Sequence, residues 1–145
     1  MERSIQIVLI FFIIVSSLEL ISAQERWNYS AKVIEGKKVD GKEIRQLNED
    51  VKFIKTNQLI LTDKAAQYIK EDVLYLSGNT MMISGFDTLT CDSMVYWSKL
   101  DSGYAVGNVR YIQSDNKREI TTDVFRYWQT EGYRGSSFIA DGFTR

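Results

Sequence analysis

The sequence predicts an all-β chain built from one repeated unit, and three observations carry that prediction. Short apolar runs alternate with polar turns from residue 31 to residue 140. One short text, an apolar strand ending on Asp, then an aromatic, then a small-residue turn reading Gly-Asn or close to it, recurs three times. The copies also keep step: Gly78-Asn79 and Gly107-Asn108 are 29 residues apart, and so are Thr62-Asp63 and Cys91-Asp92. The third copy is slightly longer, with Thr122-Asp123 lying 31 residues beyond Cys91-Asp92 and Asp141-Gly142 closing it. A period near 30 residues marks a chain that stacks a single supersecondary unit.

The N-terminus reads as a segment apart from this body. Arg3 is followed by an apolar stretch from Ile5 to Val15, broken by Gln6, and Ile21-Ser22-Ala23 offers a small residue for cleavage before Gln24. Residues 1–23 are therefore expected to be a helical secretory signal, with 24–145 as one exported domain. The alternative, an uncleaved anchor, needs a longer apolar core than this one, and Glu19 interrupts its end.

In the lead-in unit, Ala31 to Ile34 and Ile44 to Leu47 read as strands around the turn Lys37 to Lys42. Further strands are expected at Val51 to Ile54, Leu59 to Thr62, Val73 to Leu76, Met81 to Ile83, Thr88 to Cys91 and Met94 to Trp97. They continue at Tyr104 to Val106, Val109 to Ile112, Ile120 to Thr122, Val124 to Trp128 and Ser137 to Ala140. Turn residues separate them at Ser84-Gly85-Phe86-Asp87, at Lys99 to Gly103 and at Ser114 to Lys117. Asp63 to Asp72 could be written as a helix, but the matching stretches in the later copies are aromatic and β-branched and favour strand. The count is eleven or more short strands, at the spacing of a sandwich, jelly roll or solenoid.

Superposing the copies sorts the faces. Ile60, Leu89 and Ile120 share a position that is always apolar, so it points inward, whereas the neighbouring position holds Leu61, Thr90 and Thr121. By the same alternation Ala65, Met94 and Phe125 share a position, Val51, Thr80 and Val109 another, and Phe53, Met82 and Tyr111 a third. Tyr75 pairs with Tyr104. Tyr68, Trp97 and Trp128 are either core or the lining of a groove for an apolar ligand, and Met81, Met82 and Met94 suit an adaptable apolar surface.

The residue inventory restricts the chemistry. A net charge of -1 offers no electrostatic case for nucleic acid. With no histidine, a Ser or Cys nucleophile lacks its commonest base, and Cys91 lies where Thr62 and Thr122 stand in the other copies, so it reads as a small buried residue. A single cysteine cannot form an internal disulfide, and the usual zinc and iron ligand sets are absent. Asp63, Asp92 and Asp123 are the acids that recur in register. Two of them could serve a glycosidase, but one Asp per unit at a strand end is what a corner needs to satisfy its backbone. Gly78, Gly107 and Gly142 would allow positive φ where one unit hands over to the next. No catalytic residue, metal or cofactor is expected.

This register resembles the OstA-like family, the periplasmic domains of LptA, LptC and LptD. The resemblance rests on Asp50-Val51-Lys52-Phe53, Asn79-Thr80-Met81-Met82 and Gly107 to Tyr111 after the turn. It rests equally on Leu59 to Asp63, Leu89 to Asp92 and Ile120 to Asp123 before the aromatic, and it covers roughly Ile34 to Gly142. It implies a taco-like β-jellyroll of two sheets enclosing an apolar groove for the acyl chains of lipid A, in a domain that joins others edge to edge. The implied function is a non-enzymatic, periplasmic bridge for lipopolysaccharide transport in outer-membrane assembly. The implied partners are lipopolysaccharide and other jellyroll domains: further copies, LptC-like or LptD-like. The groove residues are then expected to be Phe53, Ile60, Met82, Leu89, Met94, Tyr104, Tyr111, Ile120 and Phe125. Glu49-Asp50 departs from the family's Gly-Asn, and the chain stops just after Phe143, where another strand is expected, so it reads as a short member or a fragment. The competing reading is an exported structural or adhesive β-repeat module whose aromatics are all core and whose partner is protein or glycan.

Overall fold

The computed structural model describes residues 26–114, 117–129 and 136–141, with side chains through residue 127. The expected signal segment, 1–23, and Gly142 lie outside the described residues. The described chain is all strand and turn: β1 (Asn28–Ser30), β2 (Val33–Val39), β3 (Lys42–Lys55), β4 (Gln58–Tyr68), β5 (Val73–Ser84), β6 (Asp87–Trp97), β7 (Ser102–Gln113), β8 (Arg118–Gln129) and β9 (Ser136–Asp141). It forms one antiparallel sheet in the order β1-β3-β4-β5-β6-β7-β8-β9, with β2 also paired to β3. Asp63 to Tyr68 is strand, in line with the repeat argument rather than the helical reading.

The strands are fewer and longer than the sequence predicts. Val73 to Leu76 and Met81 to Ile83 are the two ends of β5, and the other short runs fuse in the same way in β3, β4, β6, β7 and β8. The Gly-Asn pairs lie in mid-strand. Pairing breaks register between Ser77 and Thr80 in β5 and between Val106 and Val109 in β7, so Gly78-Asn79 and Gly107-Asn108 are bulges. All four residues have positive φ, at 79°, 41°, 80° and 46°. The local chemistry read from the sequence was that of a turn, and a turn and a bulge ask for the same residues.

Glu49-Asp50 occupies the equivalent place in β3, at φ of 62° and 53°, between Asn48 and Val51. At the sheet edge the line continues as the break between β1 and β2: the Lys32 N–H donates to the Glu49 carbonyl at 2.9 Å, and Lys32 Nζ meets Asp50 Oδ2 at 2.7 Å. One line of bulges thus crosses the sheet at right angles to the strands, and along it the sheet bends into two layers. The first layer holds Lys42 to Asn48 of β3 and everything paired with it, including β2 and β9. The second holds β1, Val51 to Lys55 and their partners through Arg118 to Thr122.

Contacts between the layers show that their inner faces meet. Tyr111 of the second layer stacks on Phe125 of the first, ring centres 4.9 Å apart. Trp27, beside β1, lies edge-on to Phe53 at 6.4 Å and to Tyr96 of the opposite layer at 5.8 Å. The interior is a single cluster running from Leu47 and Phe53 near one sheet edge to Phe125 and Tyr127 near the other. Burial of this continuous apolar strip is what drives a one-sheet chain to fold onto itself.

Candidate functional site

The bend is held by side chains from neighbouring strands. Asn79 Nδ2 donates to Asp63 Oδ2 at 2.8 Å, and one unit later Asn108 Nδ2 donates to Asp92 Oδ2 at the same distance. Inside the bend, Thr62 Oγ1 lies 3.1 Å from the carbonyls of Ser77 and Gly78 and 3.0 Å from Thr80 Oγ1. Thr122 Oγ1 donates to the Val124 carbonyl at 3.1 Å. Cys91 takes the equivalent place in β6 and is buried; desolvation pushes its thiol up to about 12, with the Asp92 charge adding to the shift. A thiol held neutral is a poor nucleophile.

The aspartates do not gather into a cleft. Asp63 and Asp92 stand two strands apart on the exposed side of the bend, about 10 Å by strand spacing, each occupied by its own asparagine. Among the described residues no group of three or more Cys, Asp or Glu is placed to hold a metal.

Of the nine residues expected to face a groove, eight lie on the inner faces. Phe53, Ile60, Met82, Leu89, Met94, Tyr111 and Phe125 are buried, and Ile120 packs partly buried against them. Tyr104 is on the other side of the sheet. It pairs with Val95 and Arg126, its neighbours Gly103 and Ala105 carry the inward positions, and the Arg126 guanidinium lies 5.5 Å from its ring centre. Tyr75, matched with it by the repeat, is likewise outside and 48 % exposed. Both stand next to Leu76 and Ala105 in strands whose two faces are apolar here, so period-two alternation alone did not separate inside from outside. Tyr68 and Trp97 share that outer face, as cross-strand partners of Val73. Trp128, the third aromatic of that set, lies beyond the described side chains.

The inward side chains cover one another. A space of about 10 Å³ near the β5–β6 turn is lined by Met82, Ser84, Asp87 and Leu89 of the second layer and by Tyr127 of the first. At the free ends of the layers, the Asp101 carboxylate accepts from the Tyr96 hydroxyl and, at 2.8 Å, from Gln58 Nε2. Gln58 begins β4 in the second layer and Tyr96 lies near the end of β6 in the first, so this trio fastens the two layers across the mouth. Burial pushes the Tyr96 phenol well above its usual range, and the Asp101 hydrogen bond adds to it, so the hydroxyl remains a donor.

A bent meander of this kind has a counterpart among solved structures. LptH from Pseudomonas aeruginosa, described as the LptA-homologous periplasmic component of the conserved lipopolysaccharide transport device, superposes with a TM-score of 0.61 at 8 % identity, over 82 % of this chain and 97 % of that one. The fold is an LptA-like β-jellyroll. No protein-family model matches the sequence, and no curated protein does. At such identity the likeness is one of fold.

Proposed function

We propose that this protein is a non-enzymatic lipid carrier of the cell envelope, exported to the periplasm, whose interlayer space takes the acyl chains of lipopolysaccharide or a related amphiphile. The observation that carries the reading is an LptA-like jellyroll whose inward positions are apolar in every strand from β3 to β8, with polar groups confined to the bend and the mouth. Phe53, Ile60, Met82, Leu89, Met94, Tyr111, Ile120 and Phe125 are the acyl-facing residues in this proposal. Their close mutual packing means that a chain enters by parting the layers, beginning at the Tyr96, Asp101 and Gln58 fastening. Met82 and Met94 can repack around it at little cost because thioether side chains adapt.

Edges support the bridging half of the reading. β2 lies on the outside of β3, and every one of its residues is exposed. At the other end β9 covers only the Val124 to Gln129 half of β8 among the described residues. Such edges invite strand addition from another jellyroll domain, a second copy or an LptC-like or LptD-like partner.

One observation favours the second reading, a structural or adhesive module binding protein or glycan: the inward side chains among the described residues are buried against one another. Mass spectrometry of the protein purified from the envelope separates the two. Co-purified lipid bearing acyl chains supports the carrier; lipid-free protein that also takes up none when offered lipopolysaccharide supports the module.

A further inference from the structure

A second cavity, of about 520 Å³, opens at the mouth on the β1 side. It is lined from both layers: Arg26, Trp27 and Lys55 come from the β1 and β3 ends of the second layer, and Arg45, Ser98 and Lys99 from the first. Four cations therefore converge on one space in a chain whose net charge is -1, with Asp72 the only carboxylate in the lining. Among the described residues none of the four is in an ion pair; the pairs formed elsewhere use Lys32, Lys42 and Arg110. Arg45 spends one nitrogen on Gln67 Oε1 at 2.8 Å and rests its guanidinium 4.3 Å from the Tyr29 ring centre, which leaves further N–H groups for another acceptor.

An independent feature of the same cavity points to an acceptor. Trp27 Nε1 and Ser98 Oγ are buried without a hydrogen-bond partner, and Ser98 as a whole is only 9 % exposed. Buried donors left unsatisfied are costly, and native proteins rarely retain them without a reason. Here every unsatisfied group can donate, and so can every uncommitted cation. A carboxylate offers two oxygens to such a set; a phosphate monoester offers three, with a charge near -2. Trp27 also touches Phe53 and Tyr96, so the cavity borders the apolar interior.

We propose that this cavity is a phosphate site for the headgroup of an anionic amphiphile whose chains run into the interlayer space. Trp27 Nε1–H and the Ser98 hydroxyl donate to the phosphate oxygens, and Arg45 and Lys55, which line the cavity from the two layers, neutralise it. The proposal rests on the carrier reading for the chains, and the phosphate pocket is the added claim.

The test titrates the full chain with dodecyl phosphate, dodecyl maltoside and inorganic phosphate, each below any micelle concentration, following tryptophan fluorescence. It is repeated with the Lys55→Gln/Lys99→Gln double variant and with Ser98→Ala, each first checked for an unchanged melting transition. The expected result is dodecyl phosphate bound roughly tenfold or more tighter than either of the others, with that preference lost in the double variant and weakened in Ser98→Ala. Equal binding of the two amphiphiles, unaffected by the substitutions, would overturn the phosphate site and leave the carrier reading standing. Inorganic phosphate bound as tightly as dodecyl phosphate would overturn the headgroup assignment and count against the carrier, leaving a pocket for the free anion. No binding of any probe would overturn both.

Discussion

Asn108 donates its side-chain amide to Asp92 of the neighbouring strand at 2.8 Å along the bend, and the residue before it, Gly107, sits so close that a Cβ there would collide with the same carboxylate. The contact repeats at Asn79, Asp63 and Gly78. At φ of +80° and with that clash, Gly107→Ala combines backbone strain with displacement of the aspartate and is expected to cost about 2 kcal/mol or more. Asn108→Ala removes one exposed hydrogen bond and should cost about 1 kcal/mol or less. Urea unfolding of the two variants checks the order.

Phe125→Ala should destabilise the protein by about 3–5 kcal/mol, because the ring is fully buried and stacked on Tyr111 across the layers. Tyr104→Ala, on the outer face, should cost about 1 kcal/mol or less. Thermal melts of both variants test whether the assignment of faces is right; equal losses would contradict it.

The Cys91 thiol gives a pH dependence of known sign. Its ordinary value is 9.0 and burial raises it to about 12 in the folded protein. The folded state therefore favours the neutral form: the stabilisation is fully present below pH 9 and is lost as pH rises towards 12. At pH 8 iodoacetamide should label Cys91 at the rate of global unfolding, with full labelling in urea. Fast labelling of native protein would show the thiol to be accessible.

The β2 edge supplies a test of assembly. In an edge strand successive N–H groups point alternately to the neighbour and outward, so of Glu35 and Gly36, which face Gln46 and Arg45, one bonds β3 and the other is free for a partner strand. Proline at the outward position should abolish edge-to-edge assembly with little change in melting temperature, and proline at the other should lower the melting temperature. Analytical ultracentrifugation with thermal melts reads both. If neither variant alters assembly, β2 is not the joining edge.

Much of this architecture could be read from spacing. The inward positions of β4, β6 and β8 came from three copies agreeing on apolar residues at Ile60, Leu89 and Ile120, a signal that needs no structure. Gly-Asn satisfies a chain-reversing turn and a mid-strand bulge equally well, and strand pairing that continues on both sides of Gly78-Asn79 and Gly107-Asn108 is what distinguishes them. Repeat matching with Tyr75 puts Tyr104 inside, but the neighbouring small residues Gly103 and Ala105 are the inward ones, since Met94 and Phe125 occupy the space across from them. The cationic cavity was invisible in sequence. Arg26, Arg45, Lys55 and Lys99 are spread over 74 positions and meet only after the sheet bends.

Acyl chains received in the interlayer space would be reached from the inner face of the sheet and not from the outer, which cross-linking can read. A photoreactive phenylalanine analogue placed at Phe125, and separately at Tyr104, is irradiated in cells making lipopolysaccharide. A lipopolysaccharide adduct is expected from position 125 and none from position 104. No adduct from 125, or equal adducts from both, would contradict it.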